Sequence, residues 1–151
     1  MPDNPILICY DGSKEAAHAI DAAAALLGRC RAVVLDIGPL LTASESLAAV
    51  SSVVPGDAFE DLNKTAARDN ARDGAARARQ AGFAAEARGE LDAPTWEGII
   101  SVADEIDAAA IVLGSRGYTG AREFFEGSVS HQVAAHAHRP VLIVPPANGR
   151  A

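Results

Sequence analysis

Short, continuous apolar runs alternate with helical patterns along this chain, and this alternation limits its possible folds more than any other feature. Runs of this length without polar alternation are typical of strands buried on both faces of a parallel sheet. Helices between such strands would cover the two faces. The sequence therefore predicts one α/β domain over residues 1–151, with a five-stranded, mostly parallel sheet and helices on both faces. The expected strands are Ile6 to Tyr10, Ala32 to Ile37, around Phe83 to Arg88, Ala109 to Leu113 and Val141 to Val144.

Residues that start and stop helices set the expected helix boundaries. The first helix follows Asp11-Gly12-Ser13 and ends at Gly28, and the second covers Thr65 to Ala81 and ends at Gly82. The third is capped by Thr95 and runs to about Asp104. Between the second strand and the second helix, the residues 38–63 are punctuated by helix and strand breakers. We expect an irregular segment there, with room for a short helix; the breakers are Gly38, Pro39, Pro55 and Gly56.

Net charge and cysteine content narrow the classes of function. The chain has 13 basic against 20 acidic residues, a formal charge of −7, which argues against a nucleic-acid or anionic-membrane surface. Two cysteines do not make a disulfide framework, and no apolar run reaches membrane-spanning length. We expect a cytoplasmic protein in which Cys9 is a small buried apolar residue rather than a reactive thiol.

A glycine-rich run follows the fourth expected strand. Gly114-Ser115-Arg116-Gly117 is followed, after nine residues, by Gly127-Ser128 at the start of a helix marked by Val129, Val133 and Ala137. Glycines allow close backbone approach, and a helix N-terminus offers unpaired N–H groups to an anion. The run is thus either a phosphate cradle or a set of ordinary turn glycines with a helix entry. It matches neither G-x-x-x-x-G-K-[ST] nor G-x-G-x-x-G.

The ends of two expected strands point to the same crevice. Asp11 follows the first strand and Gly114 the fourth, and ligands of parallel α/β sheets bind outside the carboxyl ends of strands. Asp11 would contact a nucleoside or help hold a metal, or else serve as a turn or cap residue. Arg116 and Arg122 are the nearest cations, so a polyphosphate would also need a divalent metal ion.

These residues resemble the universal stress protein family, in particular its ATP-binding class. The family's motif G-x2-G-x9-G-[ST] is matched at every position by Gly114, Gly117, Gly127 and Ser128. The resemblance extends from the first strand to the segment Arg139 to Pro145, and residues 38–63 alone are not recognisable. It implies the adenine nucleotide α-hydrolase-like fold, which is Rossmann-like.

The resemblance also implies a set of nucleotide contacts. Asp11 would line the adenosine pocket, and Ile37 would meet adenine through its backbone. Asp36 stands where the family usually has histidine. The implied ATP-binding residues are Asp11, Ile37, Gly114, Arg116, Gly117, Gly127, Ser128, Val129 and Ser130.

The implied function is a stress-response regulator that binds ATP with Mg²⁺, acts on an effector protein and has little or no catalytic activity. Two alternatives remain at this point: a nucleotide-independent dimeric interaction module of the same fold, and a weak ATP hydrolase. The last strand, Val141 to Val144, is the sheet edge in the family, and an exposed apolar edge invites pairing. The resemblance therefore also implies a homodimer through this strand.

No metal site is expected from the histidines. His131, His136 and His138 are spaced so that they do not share one helix face. Trp96, the only tryptophan, is expected to pack inside the protein rather than to stack on a base.

Overall fold

The computed structural model describes residues 3–40, 56–92, 94–115 and 129–147. Strands and helices alternate along these ranges, and the sheet has the order β3-β2-β1-β4-β5 with every neighbouring pair parallel. Among the described helices, none has both the length and the apolar character needed to cross a bilayer. The strands are β1 Ile6–Cys9, β2 Arg31–Pro39, β3 Ala84–Asp92, β4 Ile111–Gly114 and β5 Val141–Val144. The helices are α1 Lys14–Leu27, α2 Gly56–Ala81, α3 Thr95–Glu105 and α4 Val129–His136.

Two apolar layers cover the two faces of the sheet. One lies against α1 and α2 and contains Ile8, Ile20 and Val34. The other lies against α3 and α4 and contains Leu35 and Ile99. The strands are apolar on both sides because helices cover both sides. The predicted five-stranded α/β fold is therefore confirmed.

Helix α2 packs very close to the sheet. Its buried face consists of alanines, at most 1% exposed, at positions 67, 71, 75 and 78. A Cβ atom at Gly74 would lie 2.7 Å from ring atoms of Tyr10 and from Cγ1 of Val34. Small residues thus let the helix backbone approach the strands closely.

The helix predicted from Thr65 starts nine residues earlier, at Gly56. The prediction of an irregular segment over residues 38–63 was therefore wrong at its carboxyl end. Leu62 in the early turns is 63% exposed, so the apolar periodicity that identifies a packed helix is weak there. Residues 41–55, including Pro55, lie outside the described residues.

The same prediction was wrong at its amino end, because β2 continues through Gly38 and Pro39. A Cβ atom at Gly38 would lie 2.7 Å from Cδ2 of Leu91, so glycine here serves close packing rather than a turn. Alternate residues of a parallel strand direct their N–H groups to opposite neighbours. Leu35 faces β1, since its carbonyl accepts the N–H of Tyr10 at 2.8 Å. Pro39 therefore also faces the β1 side, and its missing N–H removes no bond to β3.

Other boundaries differ by a few residues. Gly28 and Gly82 end their helices as predicted, with φ of 68° and 111°. Thr95 is the first residue of α3 rather than its cap; Pro94 occupies the cap position without a side-chain hydrogen bond. The predicted strands at Phe83 and Ala109 start at Ala84 and Ile111 instead, and β3 continues to Asp92.

Candidate functional site

The carboxyl ends of β1, β2 and β4 lie side by side. From β1 the chain continues to β2 on one side, whereas β4 pairs with β1 on the other side. The strand order thus reverses between β1 and β4, which is where sheets of this type bind ligands. Asp11 and Gly114 are found at this edge, as predicted from their positions at the strand ends. Ile37, which only the family resemblance implied, lies there too, two residues before the end of β2.

The carboxylate of Asp11 shapes the turn into α1. Its Oδ1 accepts the backbone N–H of Ser13 at 2.9 Å, and Gly12 between them has a φ of 86°. The Oγ of Ser13 then accepts the N–H of Ala16 at 3.1 Å and caps α1. Asp11 is half-buried. Asp11 therefore serves as a turn residue, one of the two roles expected for it, and it lies at the edge where a ligand would bind.

Gly114 is held against the first turn of α1. A Cβ atom at Gly114 would lie 3.2 Å from the carbonyl oxygen of Glu15, so a side chain would push the helix away. The strand continues its pairing to this point, because Gly114 is in register with Val144 and Ser115 donates to the Val144 carbonyl at 3.0 Å. This close contact gives Gly114 a packing role whether or not a phosphate binds next to it.

The backbone of Ile37 is directed toward the site. The Ile37 side chain is 4% exposed and packs toward α3, where its Cδ1 lies 3.2 Å from the Cβ position of Gly98. Like Leu35, Ile37 directs its N–H and C=O to the β1 side. The β1–β2 pairing ends at Cys9 with Leu35, so these groups lie beyond the last strand pair. Ile37 can therefore meet a planar base through its backbone only.

A buried carboxylate lies next to Ile37. Asp36 is 5% exposed, and its Oδ2 accepts a hydrogen bond from Nδ2 of Asn70 on α2 at 3.0 Å. The amide of Asn70 also lies next to the turn between β1 and α1, because its Oδ1 is 3.4 Å from the Cβ position of Gly12. Asn70 thus joins α2 to the carboxyl ends of β1 and β2.

Sequence reasoning missed Asn70. It lies three residues after the buried Ala67 and one before the buried Ala71, so it borders the helix face that packs on the sheet. A polar residue at the margin of a face of alanine and glycine was the available signal, but its partner is 34 residues away in the chain. Only the tertiary structure brings the two together.

The electrostatics of this edge are set by two carboxylates. Burial raises the pKa of the Cys9 thiol, and the negative charges of Asp36 and Asp11 raise it further. Cys9 is 1% exposed, which confirms the prediction that it is buried. Any anionic group bound here must therefore be compensated by dipoles, cations or a metal ion.

Only part of the glycine motif lies within the described residues. Helix α4 starts at Val129, directly after Ser128, and Ser130 in its first turn is 9% exposed. Arg116, Gly117, Gly127 and Ser128 lie outside the described residues, as does Arg122. Their predicted contacts with a nucleotide stay predictions.

The aromatic and histidine predictions can be compared directly with the structure. The rings of Trp96 and His136 stack with centroids 4.6 Å apart, and Nδ1 of His136 donates to the carbonyl of Gln132 at 2.9 Å. Trp96 also packs against the core beside α3 and α4, as expected. Within the described ranges, no group of three or more His, Cys, Asp or Glu side chains is placed to hold a metal ion.

Comparison with known proteins identifies relatives over nearly the whole chain. The model of the universal stress protein family matches residues 4–145. The universal stress protein YxiE of Bacillus subtilis (strain 168) is 32% identical over 152 residues, covering 93% of this chain and 98% of its own length.

Solved structures show the same fold. The hypothetical protein MJ0577 superposes with a TM-score of 0.76 at 21% identity, covering 99% of this chain and 100% of its own. A universal stress protein solved in complex with cAMP superposes with a TM-score of 0.67 at 24% identity, covering 95% of this chain and 98% of its own.

Proposed function

The chain belongs to the universal stress protein family, and we propose that it binds an adenine nucleotide at the carboxyl ends of β1, β2 and β4. The observation that carries the proposal is the position of three groups at one edge. These are the half-buried carboxylate of Asp11, the β1-facing backbone of Ile37 and the close contact of Gly114 with α1. A related protein solved with cAMP supports an adenine nucleotide as the ligand.

The described groups fit the nucleoside part of such a ligand. A backbone N–H and C=O can pair with the edge of adenine, and a carboxylate accepts hydrogen bonds from ribose hydroxyls. The phosphates would then extend past Gly114 toward the start of α4, where helix N–H groups face an anion. Gly117, Gly127 and Ser128 are proposed to complete this cradle, together with Arg116, Val129 and Ser130.

We propose ATP with Mg²⁺ as the ligand. Mg²⁺ is usually held by substrate phosphates, water and one or two carboxylates, so it does not require a preformed cluster of protein ligands. Asp11, which directly follows β1, offers a carboxylate at the same edge of the sheet. Bound Mg²⁺ would supply charge neutralisation at an edge that already has two acidic side chains.

The role we propose is regulatory, with nucleotide binding presenting a changed surface to an effector protein. The motif from Gly114 to Ser128 contains no lysine, which is the usual phosphate-binding cation of nucleotide hydrolases. The chain is further proposed to form a homodimer through β5, the last strand of the sheet.

Isothermal titration calorimetry with ATP and Mg²⁺ tests the proposed ligand. Asp11→Asn keeps an oxygen that can accept the Ser13 N–H but removes the negative charge, so it separates the ligand role from the turn role. We expect weaker binding with an unchanged melting temperature, whereas Asp61→Asn on the exposed part of α2 should bind like the unmodified protein. Gly127→Asp should abolish binding, because a carboxylate would repel the phosphates.

Parallel titrations with AMP and cAMP, and an assay of phosphate release, separate the alternatives. If none of the three nucleotides gives a heat of binding, the proposal is refuted and a nucleotide-independent module is the remaining reading. Sustained phosphate release would indicate a hydrolase instead.

A further inference from the structure

Strand β3 is an edge strand with nine residues, Ala84–Asp92. Within the described residues it has a strand partner on one side only, β2. Ala84 faces β2, because its N–H donates to the carbonyl of Cys30 at 3.0 Å. In a parallel ladder the next residue then faces the other way, and so on alternately. The residues whose N–H and C=O point to the open side are therefore Ala85, Ala87, Gly89 and Leu91.

A side-chain contact confirms this direction. Nε of Arg79 on α2 donates to the carbonyl oxygen of Ala85 at 2.9 Å, from the open side of the strand. The first outward carbonyl is thus covered by an arginine of the same chain. Ala87 and Gly89 are the next outward residues, and both are at least partly exposed.

Beside these two residues the structure has a groove of about 290 Å³. It lies between β3 and α2, and the helix is fixed close to the strand there. A Cβ atom at Gly89 would lie 2.5 Å from the backbone nitrogen of Arg68. The lining residues are Arg68 and Arg72 from α2, and Ala87, Arg88, Gly89 and Glu90 from β3.

The groove is basic on its helix side, although the chain as a whole has a formal charge of −7. Arg68 and Arg72 are exposed and four residues apart, so they lie on the same helix face. Among the described residues, Arg72 has one loose, exposed ion pair, at 3.6 Å, with Asp69. Arg88 on the other face of β3 is instead held by Glu90 at 2.9 Å and by Glu105 at 2.7 Å. Of the described residues that line the groove, the cations available to a ligand are those on α2.

We propose that this edge binds an extended acidic segment of a partner protein, which adds to the sheet as a sixth strand beside β3. Its backbone pairs with the outward groups of Ala87, Gly89 and Leu91. Side chains on alternate residues of a strand lie about 7 Å apart on one face. Arg68 and Arg72 are separated by one helical turn, a rise of about 6 Å. Two carboxylates on alternate residues of the segment therefore match the two guanidinium groups.

A second copy of this chain fits the edge less well. If β3 paired antiparallel with β3 of another copy about Gly89, the two grooves would face each other. Arg68 and Arg72 would then meet the same two arginines of the second copy, and like charges placed opposite each other destabilise pairing. The charge of the groove favours an acidic partner.

A synthetic peptide tests the proposal without knowledge of the partner. The probe has about seven residues, a length within the usual range for a strand, with glutamate at alternate positions, valine and threonine between them, and blocked ends. We expect saturable binding at low salt and slower hydrogen exchange at the amides of Ala87, Gly89 and Leu91. Arg72→Glu should weaken binding by at least about tenfold, because it replaces attraction with repulsion. Arg29→Glu changes the net charge equally at an exposed position outside the groove, and should change affinity by less than about twofold.

A backbone variant tests the strand pairing itself. Ala87→Pro removes an outward N–H but no ladder bond to β2, and proline is tolerated on edge strands. The Ala87→Pro variant should fold but should no longer bind the peptide. The proposal is overturned if the unmodified protein does not bind the probe, if a lysine-substituted probe binds equally well, or if binding leaves the exchange of the three edge amides unchanged.

Discussion

The side-chain amide of Asn70 donates a hydrogen bond to Oδ2 of Asp36 across 3.0 Å and so ties α2 to the carboxyl end of β2. Asp36 is 5% exposed, and an ionised carboxylate in that environment depends on hydrogen bonds to offset its lost hydration. The next residue in the chain, Ile37, directs its backbone to the proposed nucleotide site. The hydrogen bond between Asn70 and Asp36 thus stabilises the part of β2 that forms one side of that site.

Asn70→Ala removes one donor from this buried carboxylate. We expect the free energy of unfolding to fall by about 1–3 kcal/mol, the usual cost when a buried polar group loses a hydrogen-bond partner. Urea denaturation measures it. Asn63→Ala is the matched control, because Asn63 makes an exposed bond to the carbonyl of Pro39 at 3.2 Å. Its effect should be below about 1 kcal/mol, and equal losses in the two variants would contradict a special role for the Asp36 contact.

The ion pair between Arg88 and Glu105 makes stability depend on pH. Hydrogen bonds from Arg88 at 3.1 Å and 2.7 Å, and its positive charge, lower the pKa of Glu105 below its ordinary value of 4.5. Stabilisation by a carboxylate with a lowered pKa is present above the unfolded-state value and is lost as the pH falls through the folded-state value. Glu105→Gln should therefore have a lower urea midpoint than the unmodified protein at neutral pH.

That difference in midpoint should shrink in buffers below pH 4.5, as the carboxylate of the unmodified protein takes up its proton. Glu60→Gln is the control, because Glu60 is exposed and lies on a different helix, α2. Its urea midpoint should equal that of the unmodified protein at every pH. A Glu105 difference that stays constant through the acid range would show that the ion pair is not its cause.

The two cysteines should differ in reactivity. Burial raises the pKa of both thiols above the ordinary value of 9.0, but Cys9 is 1% exposed while Cys30 is half-buried. Because the thiolate is the reactive form, Cys30 should react slowly with a colorimetric disulfide reagent, and faster as the pH rises. We expect the reagent to modify one thiol per chain in the folded protein and two in denaturant. In the folded Cys30→Ser variant we expect it to modify none. Rapid loss of two thiols from the folded protein would contradict the burial of Cys9.

The proposed homodimer depends on β5. Ile143 lies in the middle of this edge strand and is 37% exposed. Ile143→Lys places a charge on an apolar edge and should give monomeric or insoluble protein. Light scattering measures the mass. Leu26→Lys, at a 69% exposed position on α1, is the control and should keep the mass of the unmodified protein. A normal dimer from Ile143→Lys would refute the proposed interface.

Local signals predicted much of the fold. Gly28 and Gly82 end helices because each adopts a positive φ that other residues avoid, a property of the residue itself. β5 was predicted to the residue, since its apolar run is bounded by prolines. The position of Asp11 and Gly114 at neighbouring carboxyl ends also followed from the alternation of strands and helices.

The sequence by itself thus determined the class of fold and the strand ends at which the candidate site lies, because apolar periodicity and helix-ending glycines act within a few residues of the chain. Only the tertiary structure decided that Gly38 and Pro39 continue a strand and that Asn70 bonds to Asp36. It also decided that β3 offers outward amides next to Arg68 and Arg72. These features depend on strand register and on how closely α2 approaches the sheet, and both are set by contacts between segments far apart in the chain.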